Sequence, residues 1–96
     1  GYWAKTSINE ESVLSYINIY PNPATNFLNI DLSTENAQNI TLNICDMSGK
    51  IIYTDILNHN GGTQNFKVPV SELASGMYFL HLNTTTGKSI QKFIVK

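Results

Sequence analysis

The chain contains no arginine and a single cysteine, and its six lysines are set against seven acidic residues in a total of 96, for a net charge of −1. Without arginine there is no side chain for bidentate contact with a base edge or phosphate, and a near-neutral surface has no field to attract nucleic acid. No nucleic-acid partner is expected. The lone Cys45 can form neither an internal disulfide nor a cysteine-cluster metal site, which fits a reducing compartment or an extracellular domain built without disulfides. No apolar run approaches the roughly 20 residues of a transmembrane helix, so direct membrane insertion is not expected.

Catalytic groups are equally sparse. Asp31, Glu35, Asp46, Asp55 and Glu72 are scattered, with no calcium-loop spacing and no close pair for glycosidase-type acid/base work. The six glycines make no dinucleotide fingerprint and no P-loop. Two histidines are the only candidate bases: His59 falls in the polar turn "NHNGG" and His81 alternates with Leu80 and Leu82 on the outward side of a strand, so both are expected to be solvated. Cys45 shares the outward parity of Thr41 and Asn43 and is expected as a surface thiol with no neighbour to activate it. Neither an enzyme nor a cofactor is expected.

What the sequence does have is alternation. Ile17 and Ile19, then Leu28, Ile30 and Leu32, then Ile40, Leu42 and Ile44 recur at a period of two between polar residues, the mark of half-buried strands. Residues 50–57, 64–68, 77–83 and 89–95 continue it with β-branched and aromatic residues, giving seven strands. Most of the aromatics are assigned to the core, with Tyr53 and Phe79 as outward candidates. "DMSGK" (46–50), "NHNGG" (58–62) and "TTTGK" (84–88) are expected as hairpin loops. "VPVSELASG" (68–76), with room for one helical turn at Ser71–Leu73, is expected to cross between sheets. The fold class is therefore an all-β, seven-stranded antiparallel Greek-key sandwich of the immunoglobulin-like kind, without the core tryptophan of antibody domains, since Trp3 lies too early.

Twelve asparagines with many Ser and Thr suit a turn-rich extracellular domain, and the sequons at Asn39 and Asn83 are accounted for by that composition. Residues 1–15 show no sustained alternation and are expected to be a linker or the end of a preceding domain, with the sandwich over 16–96. "YPNPATN" (20–26) is punctuation: each proline lacks an N–H and biases its predecessor away from the α region, so the run ends one strand and sets up the next.

Four segments in order carry a resemblance: "YPNPATNFLNIDL" (20–32), "ITLNICDMSGKIIYTDIL" (40–57), "VPVSELASGMYFLHL" (68–82) and "KFIVK" (92–96). Together they resemble the C-terminal sorting domain, type A, of the type IX secretion system of Bacteroidetes bacteria. The matching positions are Pro21, Asn22 and Pro23; Asp46, Gly49 and Lys50; Gly76 and Tyr78; and Lys92, Phe93, Ile94, Val95 and Lys96. Cys45 departs from the pattern, where the family more often has an aromatic or aliphatic residue.

The resemblance implies a non-catalytic address label that takes a larger cargo from the periplasm through the outer-membrane translocon to the cell surface or medium. It implies as partners an outer-membrane shuttle or translocon and a sortase-like peptidase cutting in the segment before the sandwich. Lys88, Lys92 and Lys96 share one parity of the last strand and could present its edge to that machinery. The alternative is an immunoglobulin-like adhesion or carbohydrate-binding module of a surface enzyme, which the same fold would serve.

Overall fold

The computed structural model describes residues 14–84 and 87–96. They form β1 (Leu14–Tyr20), β2 (Phe27–Thr34), β3 (Gln38–Cys45), β4 (Ile51–His59), β5 (Gly62–Pro69), β6 (Gly76–Asn83) and β7 (Lys88–Val95). The linker expected over 1–15, with Trp3, lies outside the described residues except for its last two positions, which belong to β1.

The strands make two antiparallel sheets, ordered β1-β2-β5 and β4-β3-β6-β7. Strands distant in sequence, β2 with β5 and β3 with β6, lie side by side, as a Greek key requires. The sandwich differs from the constant-type immunoglobulin arrangement in that the fourth strand pairs with the third instead of joining the sheet of the fifth.

Alternation builds the core. Leu28, Ile30 and Leu32 of β2 and Val68 of β5 point inward from one sheet; Ile40, Leu42 and Ile44 of β3, Leu80 and Leu82 of β6 and Phe93 of β7 point inward from the other. Each is essentially inaccessible to water. Burying an aliphatic or aromatic side chain of this size contributes roughly 1.5–3 kcal/mol.

Two of the three expected hairpins connect paired strands, β3 to β4 and β6 to β7. "NHNGG" does not: β4 and β5 lie in different sheets, so this short connection crosses the sandwich. The cause is His59. It lies on the inward parity of β4 with Leu57 and is 2% exposed, not solvated. Its Nε2 lies 2.8 Å from the Leu32 carbonyl and must donate to it, leaving Nδ1 to accept the Gly61 N–H at 3.0 Å. The buried Thr34 hydroxyl sits 3.2 Å from Nδ1 and donates to the Asn36 carbonyl at 2.9 Å. The ring thus ties β4 to the end of β2 in the opposite sheet. "VPVSELASG" does cross between sheets, with a single hydrogen-bonded turn, Leu73 N–H to Val70 O at 3.0 Å, in place of a helical turn.

The aromatics also depart from expectation. Tyr78 and Phe93 are buried, and Phe66 and Tyr53 pack partly against the core, so Tyr53 is not outward. Tyr16, Tyr20 and Phe27 are 50%, 40% and 50% exposed, because the inward positions of β1 are taken by Ile17 and Ile19 and the buried part of β2 begins at Leu28.

Candidate functional site at one pole of the sandwich

The antiparallel registers bring the ends of β1, β3, β5 and β7 and the starts of β2, β4 and β6 to the same pole. All four segments singled out in the sequence meet there.

The Pro21-Asn22-Pro23 turn, whose two X-Pro bonds are both cis, does more than end β1. It carries Ala24 onto the outer edge of β7. Ala24 N–H donates to Ile94 O at 2.8 Å, Lys96 N–H donates to Ala24 O at 2.8 Å, and Ile94 N–H donates to the Asn22 side-chain oxygen at 2.9 Å. This short parallel bridge, Ala24 to Val95, covers the last part of an edge strand whose outward backbone groups would otherwise be open. Ala24 is fully buried, and no sequence signal had marked it beyond its place after the second proline.

Asp46, Gly49 and Lys50 form the β3–β4 turn. One Asp46 carboxylate oxygen accepts the Ser48 N–H at 2.9 Å, the Ser48 hydroxyl at 2.7 Å and the Lys50 N–H at 3.0 Å. The Ser48 hydroxyl bond and the Lys50 backbone bond hold the carboxyl below its ordinary range. Gly49 donates its N–H to Asp46 O at 3.0 Å and takes φ of 89°, a left-handed conformation that glycine adopts without steric cost. The spacing Asp46-x-x-Gly49 is thereby explained as turn chemistry.

Gly76 opens β6, and two residues on, Tyr78 turns its ring into the core, 5.9 Å from that of Phe93. The Tyr78 hydroxyl donates to Ala74 O at 2.6 Å, four residues upstream. This is the arrangement of a tyrosine corner, which pins the crossover between sheets to the strand it feeds.

Between the β3–β4 turn and the start of β6 lies a shallow open groove of about 350 Å³ lined by Asp46, Met47, Ser48, Ser75, Gly76, Met77 and Tyr78. Three of these residues were singled out in the sequence. The groove also gathers both methionines of the chain, which sequence reasoning missed because Met carries no turn signal and no charge. Lys92 and Ile94 are exposed along β7 and Lys96 just beyond it, while Phe93 and Val95 face the core.

Cys45 is 6% exposed, so the expected surface thiol is instead buried, although its outward parity holds. It lies in a central strand between Ile51 of β4 and Phe79 of β6 and is not part of the inner core cluster. His81, paired with Asn43 and Ile90, sits half-buried on the same outward face.

Among the described residues no three His, Cys, Asp or Glu side chains come together where a metal could bind. The distinctive features of this antiparallel sandwich are its turns, a covered strand edge and an open groove. Residues 18–96 match the family described as the secretion system C-terminal sorting domain, and the chain belongs to that family. Such a domain is a C-terminal sorting signal for type IX secretion, directing export to the cell surface or medium. Its function implies interaction with the type IX machinery. No curated protein matches the chain significantly.

Proposed function

We propose that the pole where the four segments converge is what the type IX machinery reads. The single observation behind this reading is convergence. Asn22 and Ile94, 72 positions apart, are hydrogen-bonded, and Asp46, Gly76 and Tyr78 line one groove beside them. Pro21, Asn22, Pro23, Asp46, Gly49, Lys50, Gly76 and Tyr78 build and hold the surface; Lys92, Ile94 and Lys96 present side chains to the partner, with Phe93 and Val95 anchoring their strand.

In this reading the domain is of the Bacteroidetes type A kind and has no catalytic activity. A cargo domain precedes it, and the protein passes through the periplasm before an outer-membrane shuttle and translocon carry it out. A sortase-like peptidase then cuts within residues 1–15 and attaches the cargo to the surface.

The test is export of a periplasmic fluorescent reporter fused to residues 12–96, in cells with and without a working type IX translocon. Translocon-dependent appearance at the surface or in the medium supports the reading. Retention of a folded fusion in the periplasm contradicts it and favours a binding module, for which the exposed Tyr16, Tyr20 and Phe27 of the smaller sheet are the place to look.

A further inference from the structure

The outward face of a two-layer sandwich is normally polar, with apolar side chains reserved for the inner face. The outer face of β1-β2-β5 is polar at its centre, where Asn18, Asn29, Asp31 and Asn65 lie in register, with the exposed aromatics Tyr16, Tyr20 and Phe27 around them. There the Asp31 carboxylate accepts the Asn65 amide at 2.7 Å and the Tyr20 hydroxyl at 3.3 Å.

The outer face of β4-β3-β6-β7 breaks the rule next to the motif pole. Ile51, Cys45, Phe79 and Lys92 form one cross-strand row, and Met77 and Ile94 form the next. Neighbours within a row are about 4.8 Å apart and the two rows, two residues apart along β6 and β7, about 7 Å, so they make a contiguous strip. Ile51 is 55% and Ile94 42% exposed, Met77 and Phe79 are half-buried, and Met47, 65% exposed, shares the adjoining groove with Met77. Cys45, only 6% exposed on its outward parity, sits between Ile51 and Phe79 in the row, so the apolar positions are neighbours across the strands, not a scatter of single side chains.

The folded domain gains nothing from leaving such a strip in water, and exposed apolar side chains on and beside an edge strand invite association. Lys92 lies in the strip and Lys96 at its margin, and no outward position of these four strands carries a carboxylate. The one carboxylate nearby, Asp46 in the adjoining groove, has an oxygen engaged by Ser48 and the Lys50 N–H. Methionine adds an adaptable, polarizable surface of the kind used to receive apolar side chains.

Resting on the sorting reading above, we propose that Met47, Ile51, Met77, Phe79 and Ile94, with Lys92 and Lys96, form a docking strip for a protein component of the export machinery that presents apolar side chains flanked by carboxylates. The apolar strip supplies contact area, and the lysines supply orientation and partner choice.

The test uses the whole 96-residue chain fused behind a periplasmic reporter, with export measured in cells with and without the translocon and thermal unfolding measured on the purified chains. Ile51→Thr with Ile94→Thr keeps β-branched residues in the strands and removes apolar contact. Lys92→Glu with Lys96→Glu reverses the charge. Ile56→Thr, at an exposed isoleucine toward the other end of the same face, is the control.

Each double variant is expected to unfold within a few degrees of the parent and to export at least about fivefold less, while the control exports normally. Normal export of both double variants beside a translocon-dependent parent overturns the docking strip, and with it the contact role of Lys92, Ile94 and Lys96, and leaves the domain's role as a sorting signal intact. A parent whose export does not depend on the translocon overturns the sorting reading, and the docking strip with it.

Discussion

The two poles of this sandwich are closed in opposite ways. At the pole opposite the motifs, closure is buried: His59 and Thr34 are 2% and 3% exposed, and the imidazole satisfies a carbonyl and an N–H on two segments at once. At the motif pole, closure is built largely of exposed turns, the Asp46 carboxylate and the Asn22 side chain, with Tyr78 and the backbone-bonded Ala24 as buried pins. A buried polar network is costly to break because its partners lose both bond and solvent, whereas exposed partners are rehydrated. The non-motif pole should therefore carry more stability per residue, and the motif pole more of what a partner can touch.

The sharpest way to break this comparison is His59→Ala. It strands the Leu32 carbonyl and the Gly61 N–H and opens a cavity between the sheets, for an expected loss of about 3 kcal/mol in urea unfolding. Export, normalised to folded protein, should be unchanged. A smaller loss than that of the motif-pole changes below would invert the account. Next comes Gly49→Ala, which forces a Cβ into the left-handed region and should cost about 1–2 kcal/mol by the same measurement.

Tyr78→Phe removes only the hydroxyl that donates to Ala74 O, and because Ala74 is exposed its carbonyl can turn to water. A loss of about 1 kcal/mol is expected, and a loss as large as that of His59→Ala would make the tyrosine corner the dominant tie of the fold. The smallest effect is electrostatic. The Asp46 carboxyl titrates below its unfolded value near 3.9, so its stabilising contribution is complete above that pH and is lost as pH falls through the folded value. The melting-temperature difference between the parent and Asp46→Asn should shrink as pH drops from 6 toward 2, and a difference that grows over that range would contradict the assignment.

Much of the fold was legible because the signals were local. Leu28, Ile30 and Leu32, like Ile40, Leu42 and Ile44, alternate strictly since one side of each strand meets the core and the other water. The "NHNGG" loop was misjudged because Asn and Gly serve a hairpin and a sheet-to-sheet crossing equally. What distinguishes the two is the burial of His59 against Leu32 and Thr34, 27 and 25 positions away. Cys45 illustrates a different gap: parity assigns a face but not exposure, and Cys45 lies buried in a central strand between Ile51 and Phe79. At the candidate site, the turn chemistry of Asp46 and Gly49 and the strand-breaking prolines were visible as short motifs. That Asn22 caps the backbone of Ile94, and that Met47 and Met77 share a groove, depends on registers no single segment encodes.

The central claim is that the machinery reads the motif pole, and the most direct measurement is site-specific photocrosslinking in cells exporting the fused reporter. A photoreactive residue at Ser75, exposed beside the groove, is compared with one at Glu35, exposed at the opposite pole. The account predicts translocon-dependent crosslinks to export-machinery proteins from position 75 and none from position 35. Crosslinks of equal yield from both positions, or from position 35 alone, would contradict it.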